Sequence, residues 1–270
     1  MKSFFFVPAG NKKLLPKASS IPASDIVIDL EDALGNIPIE NAIQNLKDYS
    51  VRENWWARIP TTIRKEHLKE LYTRGFGKFL LAKIESRDQI DGFISKSTNI
   101  AAKNLSLMVL CESPLAIVNL REIASHDMVE GLGFGSHDYC QAVGMKHNFE
   151  NVNWARLSIL NYSKAFQKFV IDIASMNIDD ENAFTAECVD GKDKGFDGKF
   201  LIHPWQLDLF QKHWKFNDAD LQFALKVKEY MDEIGGVQNF SVANIDGKVV
   251  ELPHLNRIDL ILKSSNYGGL

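Results

Sequence analysis

Two patterns alternate almost from end to end of this sequence: a short apolar run, then an amphipathic helical stretch. The apolar runs are brief, β-branched or aromatic, and bounded by turn residues, which marks them as strands. They are Phe4–Ala9, Asp25–Leu30, Trp55–Ile59, Lys78–Ile84, Leu105–Cys111, Val129–Phe134, a weaker one at Phe169–Ile173, and Lys199–Ile202, eight in all. Helical patterns lie between them at Ile39–Tyr49, Lys65–Arg74, Ser86–Ser95, Ser113–Ala124, Trp154–Lys168 and Asp180–Lys194. In Ser113–Ala124 the apolar residues fall at Ala116, Ile117, Leu120 and Ile123, with Ser113 placed to cap and Pro114 at the first helical position. Near-continuous apolar strands separated by helices imply a parallel sheet covered on both faces. Eight such units predict an α/β fold of the closed (β/α)8, or TIM-barrel, kind. An open doubly wound sheet is the alternative, but no G-x-G-x-x-G turn follows the first strand.

The 270 residues are read as a single barrel domain, with the barrel at about 3–215 and a C-terminal helical appendage at about 216–270. Asp218–Ile234 is amphipathic, with Leu221, Ala224, Leu225, Val227 and Met231 needing a partner surface on the barrel or on a neighbouring copy. After Gly235-Gly236 come a hairpin-like Ile245–Val249 and a last short helix at Leu255–Lys263. A net charge of -4 gives no electrostatic reason to expect nucleic acid or an anionic membrane. No run approaches the roughly 20 apolar residues of a membrane span, and Met1–Pro8 is too short for a signal sequence. Cys111, Cys140 and Cys188 match no zinc spacing and read as buried packing in a reducing, cytoplasmic setting.

Functional groups of such a barrel sit at the C-terminal ends of its strands. Strand two ends in Asp29-Leu30-Glu31-Asp32, strand three carries Arg58, and strand four ends in Lys83-Ile84-Glu85. Strand five runs into Glu112, strand six into Gly135-Ser136-His137-Asp138, and strand eight into His203-Pro204. Glu112 and Asp138 follow consecutive strands, so their carboxylates are neighbours that repel unless a cation or proton is shared. Oxygen donors without Cys or clustered His suit Mg²⁺ or Mn²⁺. The alternative is that each carboxylate only caps a helix. Arg58 in an apolar strand needs a partner, either a substrate oxygen or a carboxylate such as Glu31 or Glu85. The Asp29/Glu31/Asp32 cluster is placed to pair with Arg58 or Lys83, or to hydrogen-bond water around a metal.

At these residues the chain resembles the citrate lyase β-subunit / malyl-CoA lyase family, also called the HpcH/HpaI aldolase family. The resemblance spans about residues 3–262 and lies in the order of its motifs: Phe5-Phe6-Val7-Pro8-Ala9, Asp25–Ala33, Arg58, Lys83-Ile84-Glu85-Ser86, Glu112-Ser113, Gly135-Ser136-His137-Asp138, and Gly198-Lys199 with Ile202-His203-Pro204-Trp205-Gln206. It implies a barrel, Mg²⁺, aldol- or Claisen-type lyase chemistry on acyl-CoA thioesters or hydroxy acids, and a homo-oligomer, a trimer or hexamer. Glu112 and Asp138 are then the metal ligands, and Arg58 and Glu112 meet substrate. Catalysis falls to Arg58 at the enolate oxygen and to Asp29, Glu31 or Asp32, with a metal-bound hydroxide or a neighbouring subunit as other sources of the base. Two further readings remain: a Schiff-base aldolase using Lys83, and a metabolite-binding barrel without turnover.

Overall fold

The structure, a computed structural model, describes residues 1–98, 105–265 and 267–270. It forms two compact units, Lys2–His213 and Trp214–Leu270.

The larger unit is a closed barrel of eight strands in sequence order. They are β1 Lys2–Pro8, β2 Asp25–Asp29, β3 Trp55–Pro60, β4 Lys78–Ala82, β5 Ser106–Cys111, β6 Val129–Phe134, β7 Phe169–Asp172 and β8 Gly198–Leu201. All pairings are parallel, and β8 closes on β1 with Lys2 opposite Gly198 and Phe5 opposite Leu201. The closed barrel is the expected fold, and the doubly wound alternative is set aside. Helices in this unit are α1 Leu15–Ala18, α2 Ile39–Asn45, α3 Lys65–Thr73, α4 Arg87–Thr98, α5 Pro114–Val118, α6 Leu120–Ala124, α7 Ser136–Val143, α8 Phe149–Ala165, α9 Glu181–Lys194 and α10 Pro204–His213.

Side chains alternate across each strand. Phe4, Val27, Trp56, Leu80, Met108, Leu110, Ile171 and Phe200 form one apolar cluster, while Phe79, next to Leu80, packs on Tyr72 and Phe93 of α3 and α4. Strand β6 contributes glycines to this pattern. A Cβ on Gly131 would lie 2.2 Å from the Phe169 ring, and one on Gly133 2.5 Å from Phe200. The large rings of β7 and β8 occupy the space that β6 leaves.

The strand expected at Lys78–Ile84 stops at Ala82, because Lys83 adopts a left-handed backbone with φ 56°. The helix expected over Ser113–Ala124 breaks at Asn119, whose amide donates to the Glu85 carbonyl at 2.7 Å. Ser113 caps α5 as expected, accepting from Ala116 N–H at 3.1 Å. The short helices α7 and α10 were not anticipated. The weakly patterned stretch around β7 is held by a buried ion cluster. Arg156 of α8 donates to both oxygens of Asp172 and to Asp190, and its guanidinium lies 5.2 and 5.1 Å from the Phe149 and Phe196 ring centres.

The smaller unit consists of α11 Asp218–Glu233, a hairpin of β9 Val242–Ile245 and β10 Lys248–Glu251, and α12 Leu252–Ser264. Its two-residue turn, Asp246-Gly247, has φ 52° and 76°, the twist a tight hairpin requires. Ala224, Val227 and Met231 of α11 pack with Phe240, Val250, Leu255, Ile258, Ile261 and Leu262. The surface that α11 needs is therefore supplied within its own unit. Among the described residues no helix is long and apolar enough to cross a membrane. The three cysteines are unpaired and buried.

Candidate active site at the mouth of the barrel

A cavity of about 350 Å³ opens at the C-terminal ends of the strands, lined by groups that include Asp29, Asp32, Arg58, Glu112 and Asp138. Three of these five follow from strand alternation: Val27 and Asp29, Trp56 and Arg58, and Leu110 and Glu112 each lie two residues apart along β2, β3 and β5. The inward row that builds the core thus ends in charged groups.

Arg58 is clasped on three sides. Its Nε and Nη2 donate to the two oxygens of Asp29 at 2.7 and 2.5 Å, and Nη1 reaches Asp32 at 3.1 Å and Glu31 at 3.5 Å. Its guanidinium lies 5.2 Å from the Phe6 ring centre. Burial works against the Arg58 charge, but the bonds to Asp29 and the charges of Asp29, Asp32 and Glu31 together outweigh it and raise its pKa. Its main partner is thus Asp29 of the acidic cluster expected to pair with it, with Glu31 a more distant one. The Glu85 N–H and carbonyl bond Gln89 and Asn119 instead. Lys83 Nζ pairs with Glu31 at 2.6 Å and Asp32 at 3.3 Å. The bond to Glu31 raises the Lys83 pKa and keeps the ammonium charged. That is the reverse of the neutral amine a Schiff-base nucleophile needs.

Within the acidic cluster the three carboxylates differ. Both oxygens of Asp29 face Arg58, and burial raises Glu31. Burial also works to raise Asp32, but its bond with Glu31 and the charges of Arg58 and Lys83 lower it overall. Asp32 lines the cavity and its side chain is 45% exposed, whereas Asp29 is nearly inaccessible.

Glu112 is 4% exposed and accepts the Lys83 backbone N–H at 2.5 Å. Burial pushes its carboxyl up to about 8, and the nearby charge of Asp138 adds to the rise. A Cβ on Gly135 would lie 2.6 Å from Glu112 Cβ and 2.7 Å from Oε2. Glycine there makes room for the carboxylate. Neither acid is a helix cap: Ser113 caps α5, and α7 opens at Gly135 with no side-chain cap. Two carboxylates facing one cavity, one of them desolvated without a cationic hydrogen-bond partner, fit a hard divalent cation that keeps other positions for water and substrate oxygens. Among the described residues no group of three or more His, Cys, Asp or Glu forms a metal-binding cluster. Glu112 and Asp138 could together offer carboxylate oxygens to such an ion.

Beside them lie Ser136 and His137, named from sequence only within the strand-six motif, and His147, which sequence reasoning missed. His137 stacks on His147 with ring centres 3.9 Å apart and planes 6° from parallel. Ser136 Oγ lies 2.9 Å from His147 Nε2. Burial lowers both imidazoles, so they favour the neutral form. His147 lies in the turn after α7, where no periodicity points to it. The apolar lining from Phe6, Met176, Phe200 and Ile202 was legible only as strand and loop residues.

The sequence profile of the HpcH/HpaI aldolase/citrate lyase family matches residues 2–204. A citrate lyase subunit beta of Haemophilus influenzae is 25% identical over 285 aligned residues, covering 99% of this chain and 97% of that protein. A (3S)-malyl-CoA thioesterase of Cereibacter sphaeroides is 26% identical over 267, covering 94% and 90%. The crystal structure of the protein CitE from Mycobacterium tuberculosis, in complex with magnesium, acetoacetate and coenzyme A, shares the fold. Its TM-score is 0.85 at 22% identity, with 98% of each chain covered. With its barrel complete and its motifs gathered at one mouth, the chain belongs to the HpcH/HpaI aldolase/citrate lyase family.

Proposed function

We propose that this protein is a Mg²⁺-dependent carbon–carbon lyase of aldol or Claisen type, acting on a hydroxy-acyl-CoA thioester or a related hydroxy acid. The observation that carries the reading is Glu112, a buried carboxylate facing the same cavity as Asp138. Ionising both there calls for a cation. Citrate lyase and malyl-CoA relatives, and a CitE structure with magnesium and coenzyme A, support it.

Glu112 and Asp138 would hold the ion, which supplies Lewis acidity toward the hydroxyl and carboxylate oxygens of substrate. Cleavage leaves the bonding electron pair on the carbon next to the acyl group, as an enolate. Arg58 meets that oxygen with the N–H groups not taken by Asp29, which fixes the plane of the guanidinium. The hydroxyl proton goes to Asp32, the cluster carboxylate with access to both cavity and solvent. Glu31 and Lys83 brace the cluster from the side. Manganese fits the same donors.

The test has two parts. Calorimetry should show Mg²⁺ binding that is lost in a protein carrying both Glu112→Gln and Asp138→Asn. Mg²⁺-dependent release of a 2-oxo acid or glyoxylate should appear across a panel of CoA thioesters and free hydroxy acids. Unchanged affinity in the double variant sinks the site. Metal binding with no turnover on any substrate leaves a metabolite-binding barrel. Borohydride should trap no substrate on Lys83.

The same reading extends to assembly as a homotrimer or hexamer. Its support is an apolar surface on helices that touch each other, with Val118 of α5 77% and Trp154 of α8 67% exposed. Three unpaired buried thiols support a cytoplasmic location; fractionation of cells making the protein tests it.

A further inference from the structure

The walls of the cavity differ in chemistry from one side to the other. Every carboxylate and guanidinium lining it comes from β2, β3, β5, β6 or the turns that follow them. From β7, β8, β1 and their C-terminal turns come Phe6, Pro8, Ala174, Met176, Phe200 and Ile202. These three strands are consecutive around the closed barrel, β7 beside β8 and β8 beside β1. These six apolar residues therefore form one continuous wall that starts beside β6, the strand leading to Asp138, and runs round to β2.

The cations on the polar side are already paired. Arg58 is the guanidinium of the lining, and it faces Asp29 and Asp32. Lys83, beside the cavity, is paired with Glu31 and Asp32. Four carboxylates against one guanidinium leave an excess of negative charge even with a divalent ion in place. One substrate carboxylate has a place beside such an ion. A second would fall against phenylalanine, methionine and isoleucine side chains, which give no donor to an ionised oxygen and would strip it of water. A methyl or methylene group at the same place gains from leaving water.

We propose that the substrate carries a single carboxylate, seated on the Glu112 and Asp138 side, and an uncharged apolar chain on its carbinol carbon that lies against the β7–β8–β1 wall. The proposal rests on the reading of the site given above. It sets this chain apart from a lyase for di- or tricarboxylate head groups. Cleavage of such a substrate leaves a 2-oxo monocarboxylate with an alkyl tail.

Two pairs of 2-oxo acids, matched in carbon number, isolate the difference. 2-Oxobutanoate and oxaloacetate differ only in a terminal methyl against a carboxylate, as do 2-oxopentanoate and 2-oxoglutarate. Each is titrated calorimetrically into the full chain in MgCl₂, after MgCl₂ alone. The monocarboxylate should bind at least about tenfold more tightly in each pair, the order of a buried charge left unpaired against a buried methyl group. Met176 is 54% exposed, so Met176→Arg leaves the core intact while bringing a cation to the wall. It should narrow or reverse the preference by at least about tenfold, as a matched ion pair replaces an unmatched charge. A dicarboxylate that binds as tightly as its partner overturns the inference. So does an unchanged ratio in Met176→Arg, or no binding of any of the four acids while Mg²⁺ binds. Loss of Mg²⁺ binding itself brings down the underlying reading as well, which separates the two failures.

Discussion

Arg58 shows how one residue can be required by both the fold and the chemistry. A guanidinium inside an apolar barrel is costly to leave alone, and Asp29, its register partner on the neighbouring strand, meets it with two bonds. The same clasp leaves some of its N–H groups available to a substrate oxygen. Lysine would keep the charge and lose the planar fork. Arg58→Lys is therefore expected to fold and to bind Mg²⁺ as before, while turnover falls at least ~10²-fold, the order for removing a donor to a developing oxyanion. Arg58→Met would leave Asp29 buried without its cation, at a loss of roughly 3–5 kcal/mol in a melting experiment. An Arg58→Lys protein that is destabilised but fully active would falsify the catalytic role and leave Arg58 as a strut.

Among the elements, β6 and the end of β4 do most to shape the site. Gly131, Gly133 and Gly135 are spaced two apart, and each stands where a Cβ would overlap a neighbour: Phe169, Phe200, or the Glu112 side chain. Spacing alone signals weak strand propensity; only the packing shows that the first two glycines admit aromatic rings and the third a carboxylate. Gly135→Ala should fold with a loss of ~1–3 kcal/mol, typical of overpacking, and lose at least about tenfold in Mg²⁺ affinity as Glu112 is displaced. Gly133→Ala, against Phe200 and Met108, should lose stability without that selective loss of metal. Equal metal affinity in the two variants, measured by calorimetry alongside thermal melts, would refute the assignment. Lys83 is the matching device on β4. On a continued strand its side chain would follow Phe79 and Leu81 outward. With φ 56° it turns to Glu31, and its backbone N–H reaches Glu112.

For the whole molecule, the apolar face of α11 no longer argues for a partner, since α12 and the hairpin of its own unit cover it. The proposal of a trimer or hexamer now leans on Val118 and Trp154. Light scattering at micromolar concentration should give a mass of several chains, and Trp154→Glu, which leaves the barrel core untouched, should lower it. A monomeric mass for the unaltered protein contradicts the proposal.

Much of the barrel could be read locally, because strand and helix periodicity report burial residue by residue: all eight strands begin and end within two residues of where the pattern puts them. The charged strand ends were equally legible, since alternation along each strand aims Asp29, Arg58 and Glu112 the same way as the core residues before them. What the chain alone left open was which of these groups meet. That depends on register between strands far apart in sequence, such as Asp29 opposite Arg58. It depends also on turns whose backbone departs from the strand, as at Lys83. The Arg156 cluster, the stacked His137 and His147, and the continuous apolar wall from β7 to β1 carry no local signal, because each exists only once closure of the barrel brings its parts together.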